Sequence, residues 1–223
     1  MARRKALETE AAQFDDSYQP APGSPPDIMC RTALDLFAER SYSSVRIKDI
    51  AEASGFNPSH FYYYFDNKED LFMKTIARVV AEAFSHFDGI TRAGGTPEEV
   101  ISGWIELHVR QFVALQKVAR MSLDYAATGK RTPVADRAIR AFYEREADIL
   151  KAAIQRGIAE GSFADVNPSD TAALISTFLD GALFRNVMFP NFSYARAMQS
   201  MRRVVLHWLK TGAGPLPKAG AAP

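Results

Sequence analysis

An all-α protein is predicted by three features of this sequence. Apolar residues recur every three to four positions through most of the chain, the period of one helix face, and no stretch keeps the strict alternation of a half-buried strand. Cap-and-proline pairs open the apolar runs, at Ser24-Pro25, Asn57-Pro58, Thr96-Pro97, Thr132-Pro133 and Asn167-Pro168. In each pair a side-chain oxygen can satisfy a first-turn N–H, and the proline lacks only an N–H that would have no helical partner. Of 223 residues, 47% are hydrophobic, enough for one large domain or two small ones. About nine helices are expected.

Residues 1–23 are polar and then Pro/Ala/Gly-rich, which reads as a flexible tail. A second reading is a basic arm, Arg3-Arg4-Lys5, tracking a groove, opposed by Glu8, Glu10, Asp15 and Asp16. Ser24-Pro25-Pro26-Asp27 opens the first helix, with Met29, Ala33, Leu36 and Phe37 as its apolar stripe. Ile47, Ile50, Ala51 and Ser54 mark a second, short helix. Gly55 ends it, since glycine takes positive φ without a Cβ clash. Asn57 then caps a third helix, Pro58 to Phe65. Here Phe61 and Phe65 share the inner face, Ser59 and Tyr63 share another, and His60 and Tyr64 lie beside it. Asn67 and Asp70 suggest a capping box for a fourth helix from Lys68 to about Phe87, with Phe72, Ile76, Val79, Val80 and Ala83 inward.

A loop is expected over 88–95, followed by a capping box at Thr96 and Glu99. The helix it starts carries Ile101, Trp104, Ile105, His108, Phe112 and Leu115 on one face. His108 reads either as a satisfied core histidine or as an effector contact. Val118 to Ala127 is apolar, and Met121 suits an adaptable wall. Thr132-Pro133 begins a helix with Ile139, Phe142, Tyr143, Ile149, Leu150, Ala153, Ile154 and Ile158 inward, ended by Gly157 and Gly161. From Ala172 to Met188 apolar residues fall on nearly every face, so cover on two sides is expected, one by a second subunit where Gly181 and Ala182 allow close approach. The last helix, from about Ser193, has Tyr194, Met198, Met201, Val205 and Trp208 as its stripe. The tail after Gly212 is Gly/Pro/Ala-rich.

Two short helices joined by a glycine turn have the geometry that projects the second helix into a DNA groove. The short sequences Phe37-Ala38-Glu39-Arg40-Ser41-Tyr42, Ile47 with Asp49-Ile50-Ala51, Gly55-Phe56, Tyr62 with Tyr64-Phe65, and Lys68-Glu69-Asp70-Leu71 together resemble the DNA-binding head of TetR-family transcriptional regulators. The resemblance covers about Asp27 to Phe72; beyond that it is one of length and helical character. Two positions depart from the family pattern. Arg46 stands where a capping Thr is common, so Ser43 or Ser44 caps instead or Arg46 faces the DNA backbone. Ser41 stands where Gly is usual.

The resemblance implies a homodimer, one helix-turn-helix per subunit, and a helical body that binds a small effector. It divides the chain into a head, 24–72 with a linker helix to about 87, a body, 88–212, and tails 1–23 and 213–223. Ser59, His60 and Tyr63 are expected at base edges, although Tyr63 could instead pack on the first helix. Tyr62, Tyr64, Lys68 and Lys48 are expected at phosphates, with Arg46, Asn57 and Pro58 beside them. A first-turn lysine such as Lys68 opposes the helix dipole, which an external anion would explain. Trp104, His108, Phe112, Met121, Tyr125, Phe142 and Phe178 are candidates to line a site for a hydrophobic or aromatic effector. Leu174, Phe178, Gly181, Ala182, Met198, Met201, Val205 and Trp208 are candidates for the dimer interface.

Net charge is +1, and residues 1–80 hold ten Lys/Arg against twelve Asp/Glu, so a shallow salt dependence of DNA binding is expected. The single cysteine, Cys30, permits no internal disulfide and reads as a core residue. No signal peptide or membrane-length apolar run is seen, so a cytoplasmic protein with no membrane partner is expected. The four His residues are scattered without ligand spacing, and no phosphate-binding glycine loop occurs. No metal, cofactor or enzymatic activity is expected. Two alternatives to a ligand-controlled repressor are a helical small-molecule binder without DNA binding, which the acidic balance would fit, and an architectural DNA binder without effector control.

Overall fold

The structure, a computed structural model, describes residues 18–92, 94–129 and 132–213. Among them are nine helices and no strand: α1 (Pro25–Glu39), α2 (Ile47–Ser54), α3 (Pro58–Tyr64), α4 (Lys68–Arg92), α5 (Pro97–Arg110), α6 (Phe112–Ala127), α7 (Pro133–Ala159), α8 (Pro168–Met188) and α9 (Tyr194–Thr211). They form two compact units. One takes residues up to Glu82 together with Lys117–Phe142; the other takes Ala83–Gln116 and the chain from Tyr143. The basic arm Arg3-Arg4-Lys5 lies outside the described residues.

The first unit is the expected head with an addition. Met29, Cys30, Ala33 and Phe37 of α1, Ile50 and Ala51 of α2, Phe61 of α3, Phe65, and Leu71 and Phe72 of α4 are all buried. Each large side chain so removed from water contributes about 1.5–3 kcal/mol. Ser24 makes no side-chain cap bond to α1. Asp27 turns back instead, accepting from the Gly23 N–H at 2.9 Å and from Arg78 Nε of α4 at 2.6 Å, with Arg31 one turn on. This carboxylate is 3% exposed, so it ties α1 to α4 through a bond that water does not screen.

The addition is α6, expected in the body. Its Asp124 accepts the Tyr42 N–H, its Lys117 pairs with Asp35 of α1, and its Tyr125 donates to Glu69 of α4 at 3.0 Å. The Tyr125 ring lies 4.7 Å from Phe72 and 5.1 Å from Tyr42, and Thr132 donates to the same Glu69 at 2.7 Å. Contacts distant in sequence thus bring α6 from Lys117 onward into the head unit, which a linear division at residue 88 misses.

Two helix boundaries also differ from expectation. α4 continues to Arg92 rather than stopping near Phe87. No proline interrupts it, and one internal Gly costs only about 1 kcal/mol. Packing of Phe84 and Phe87 on Trp104, and an Arg145–Asp88 pair at 3.7 Å, offset that cost. The stripe expected to run from Ile101 to Leu115 breaks at Gln111, which leaves helical geometry at φ −93° and ψ 12°; Phe112 therefore opens α6.

In the second unit, Ile101, Trp104 and Ile105 of α5, Leu150 and Ile154 of α7, Ile175 and Leu179 of α8, and the α9 stripe form the core. Gly157 sits inside the last turns of α7 rather than ending it, and the Phe163 ring lies where its Cβ would be. α9 packs its apolar stripe onto α5 and α8. Met198, Met201, Val205 and Trp208 are each 5% exposed or less, which corrects their assignment to a dimer interface. The amphipathic stripe of α9 is satisfied within its own subunit.

Candidate functional site

The turn before α3 is built as its sequence suggests. Gly55 adopts φ +78°, and the Phe56 N–H returns to the Ala51 carbonyl at 2.9 Å, closing α2. Asn57 caps α3 by accepting the His60 N–H at 2.8 Å. Phe61 and Phe65 are fully buried, and this fixes the rotation of the helix. Tyr62 and Tyr63 consequently point outward, 59% and 80% exposed, with Pro58 and Ser59 exposed beside them. Half-buried His60 is set between the Phe56 ring at 5.1 Å and the Tyr64 ring at 5.5 Å. The outer surface of α3 is thus hydroxyl-rich and holds no acidic residue between Asn57 and Phe65.

Four acidic residues of the head are held in ion pairs. Asp27, Asp35, Asp49 and Asp70 pair with Arg78, Lys117, Arg46 and Lys74. Glu69 accepts two hydroxyls. Arg46 is exposed at the start of α2, where its N–H donates to Asp49 Oδ2 at 2.8 Å and its guanidinium pairs with the same carboxylate. The third helical residue therefore reaches back to satisfy the helix start, and neither Ser43 nor Ser44 is needed. The bonds from Arg46 hold the Asp49 carboxyl below its ordinary pKa. Lys48 is exposed on the same helix.

Lys68 is the exception among the expected DNA contacts. Its ammonium donates to the carbonyls of Tyr42 at 2.8 Å and Val45 at 3.0 Å, and it lies 4.3 Å from the centre of the Tyr42 ring. The ammonium expected at a phosphate donates to carbonyls of the α1–α2 turn instead.

The seven expected effector residues divide between the units. Trp104, His108, Phe112 and Phe178 lie in the second, whereas Met121, Tyr125 and Phe142 lie in the first. Met121 and Tyr125 are buried against the head, Phe142 is half-buried, and Phe178 is 43% exposed on α8. Phe112 stacks on Tyr194 at 4.6 Å. Trp104 and His108 are buried beside polar groups that the sequence reading missed. Trp104 Nε1 donates to Glu146 Oε1 at 2.9 Å, and Ser176 donates to Glu146 Oε2. Tyr143 donates to Asp180 at 2.7 Å. Burial raises the pKa of the Glu146 and Asp180 carboxyls and lowers that of the His108 imidazole. The available signal was phase: Glu146 falls at helical spacing with Phe142, Leu150 and Ala153, an acid within an apolar stripe.

Of the expected dimer residues, Leu174, Phe178 and Gly181 are exposed on α8, and Ala182 is buried. Phe184, Met188 and Phe189 extend this surface, at 50%, 57% and 64% exposed. Among the described residues no cluster of metal ligands occurs, and no helix is long and apolar enough to cross a membrane.

Residues 30–74 match the family model for bacterial regulatory proteins of the tetR family, and residues 97–210 match that for the C-terminal part of BetI-type transcriptional repressors. The chain is 24% identical over 145 residues to the HTH-type transcriptional repressor KstR2 of Mycolicibacterium smegmatis, covering 64% of this chain and 69% of that one. A TetR/AcrR-family regulator from Thermobifida fusca superposes with a TM-score of 0.62 at 25% identity, covering 81% of this chain and 96% of that chain. A transcriptional regulator from Saccharomonospora viridis, solved in complex with choline, superposes with a TM-score of 0.71 at 22% identity, covering 83% and 95%. The two family models together account for the helix-turn-helix with its outward tyrosines and for the helical body, and the chain belongs to the tetR family of bacterial regulatory proteins, as a DNA-binding transcriptional regulator of the repressor type.

Proposed function

We propose that the protein is a cytoplasmic homodimeric repressor, released from its operator when a small molecule binds its helical body. The observation that carries the DNA-reading assignment is the outward face of α3, where tyrosine hydroxyls surround a short-side-chain position at Ser59 and Tyr62 and Tyr63 stay mostly exposed although their rings touch Phe61 and Tyr64 within the same helix. Ser59, His60 and Tyr63 read base edges; Tyr62 and Tyr64 hold phosphates, together with Lys48 and Arg46 at the start of α2. Asn57 and Pro58 set the entry angle of the reading helix.

Dimerisation uses the outer face of α8, where Leu174, Phe178, Gly181, Phe184 and Met188 form an apolar surface of the kind that marks an interface. The two α3 helices then enter successive major grooves about 34–36 Å apart on a near-palindromic site. The effector binds in the second unit, at the buried polar and aromatic groups around Trp104 and His108. The choline complex of the Saccharomonospora viridis protein supports ligand binding as a task for a body of this shape.

Selection of bound sites from a random pool of DNA duplexes tests the DNA assignment. Inverted repeats with half-sites one helical turn apart are expected. Enrichment of no sequence, or of unpaired half-sites, would overturn the dimeric reading mode.

A further inference from the structure

The turn that follows α3 converges on one ammonium group. Lys74, in the second turn of α4, donates to the carbonyl of Tyr64, the last residue of α3, at 3.2 Å. It also donates to Asp70 Oδ2 at 2.9 Å, and that same oxygen accepts the Asp66 N–H at 3.0 Å. Asp70 precedes Lys74 by four residues, the spacing that places the pair on one face of α4. The ammonium therefore ties the exit of α3 to the entry of α4. A positive charge at the end of a helix also meets the negative pole of its dipole.

A second observation comes from the segment ahead of α1. Residues 18–23, expected as part of a tail, lie against the head. The Ser24 N–H returns to the Ala21 carbonyl at 2.9 Å, and the Gly23 N–H donates to buried Asp27. Tyr18 is half-buried, and its hydroxyl bonds to the Cys30 thiol of α1. The centre of its ring lies 5.7 Å from Lys74 Nζ, and that of Phe65 lies 5.4 Å from the same atom. Two aromatic faces thus cover an ammonium already bonded to a carbonyl and a carboxylate, which confines it to one place. α3 has only seven residues, too few for a helix to be stable alone. Asn57 fixes its start and Phe61 its inner side; Lys74 holds its end.

We propose that Lys74, covered by Tyr18, is a positioning residue for operator reading. By bonding the Tyr64 carbonyl it keeps the last turn of α3 wound, and that turn presents Tyr62, Tyr63 and Tyr64 to the duplex in one orientation. Lys74 itself touches no DNA. Two of its three donors are used inside the head, and the Tyr18 and Phe65 rings lie over the ammonium. Residues ahead of α1 thereby act on base reading without reaching a groove. The proposal rests on the assignment of α3 as the reading helix and adds what fixes that helix at its far end.

The test uses the full chain with the duplex most enriched from the random pool and an unrelated duplex of equal length, each titrated by fluorescence anisotropy over a range of salt concentrations. Lys74→Met keeps an apolar stem and removes the charge. It should weaken binding to the selected duplex about tenfold, the scale of one base contact. Binding to the unrelated duplex and the salt slope should stay nearly unchanged, since no phosphate contact is lost. Lys74→Arg, which keeps a charged donor, should recover most of the loss. Tyr18→Ala should weaken binding to the selected duplex about threefold, and should add nothing in the Lys74→Met background, because it acts through the ammonium. A fall in salt slope of about one unit in Lys74→Met would make Lys74 a phosphate contact. Equal weakening on both duplexes would make its role one of general stability, and unchanged affinity would leave it none; each of these overturns the proposal. Should Lys74→Met fail to fold, unchanged affinity in Tyr18→Ala overturns it alone. Tyr63→Phe separates this failure from that of the underlying reading. If it too leaves the selected duplex bound as before, α3 is not the reading helix; if it weakens binding while Lys74→Met does not, only the positioning role falls.

Discussion

Asp27 shows how one residue can serve a purpose its position does not advertise. Burial by itself would raise its carboxyl pKa, but the Gly23 N–H and the Arg78 and Arg31 guanidiniums outweigh burial and hold it below the usual carboxylate value. A group whose folded pKa is depressed adds stability above its unfolded value, about 3.9, and loses it as pH falls through the folded value. Replacing Asp27 with Asn should cost about 3 kcal/mol at neutral pH, because Arg78 is left without its buried partner. Urea unfolding would measure this, and the gap to the native protein should shrink on acidification below about pH 4. Tyr63 presents the opposite case. At 80% exposed its hydroxyl supports nothing internal, so Tyr63→Phe should leave the melting temperature unchanged. Operator affinity should fall about tenfold, the scale of one hydrogen bond to a base edge. A stability loss without an affinity loss would show that the ring packs rather than reads.

At the scale of elements, α2 and α3 are positioned by a turn whose carbonyls are gathered by Lys68 from the first turn of α4. Lys68→Ala should therefore lower thermal stability. The dependence of operator affinity on salt concentration should stay nearly unchanged, since no phosphate contact is lost; a fall in slope of about one unit would instead assign Lys68 to a phosphate. The end of α7 is fixed by a different means. The Ser162 and Phe163 N–H groups return to the Gly157 carbonyl at 2.9 and 3.0 Å while the Phe163 ring covers Gly157. Gly157→Ala would gain helix propensity of about 1 kcal/mol. Displacing a buried ring should cost more than that, giving net destabilisation of about 1–2 kcal/mol in denaturant titration. A stabilised variant would show that Phe163 can move at little cost.

For the whole molecule, the proposed subunit contact is the outer face of α8. Phe178, 43% exposed, lies where the proposed subunit contact would bury it. Phe178→Glu should convert the dimer to a monomer in light-scattering measurements while leaving helical content intact. Operator affinity should fall by at least about tenfold, because the second half-site no longer binds as part of the same complex. A stable dimer in this variant would place the interface elsewhere.

Local signals carried much of this structure. The cap-proline pairs mark the starts of α1, α3, α5, α7 and α8; Gly55 ends α2; Phe61 and Phe65, four residues apart, set which side of α3 faces outward. These features depend on backbone sterics and on one helical turn, so a linear sequence contains them. Phase alone could not say which partner an apolar stripe meets: the α9 stripe was equally compatible with a second subunit and with α5 and α8 of its own. Nor could it say that Lys68 reaches back to Tyr42, that α6 joins the head through Asp124 and Tyr125, or that Glu146 and Asp180 meet Trp104 and Tyr143. Each of these depends on groups far apart in the chain, whose distances and burial exist only once the helices have packed.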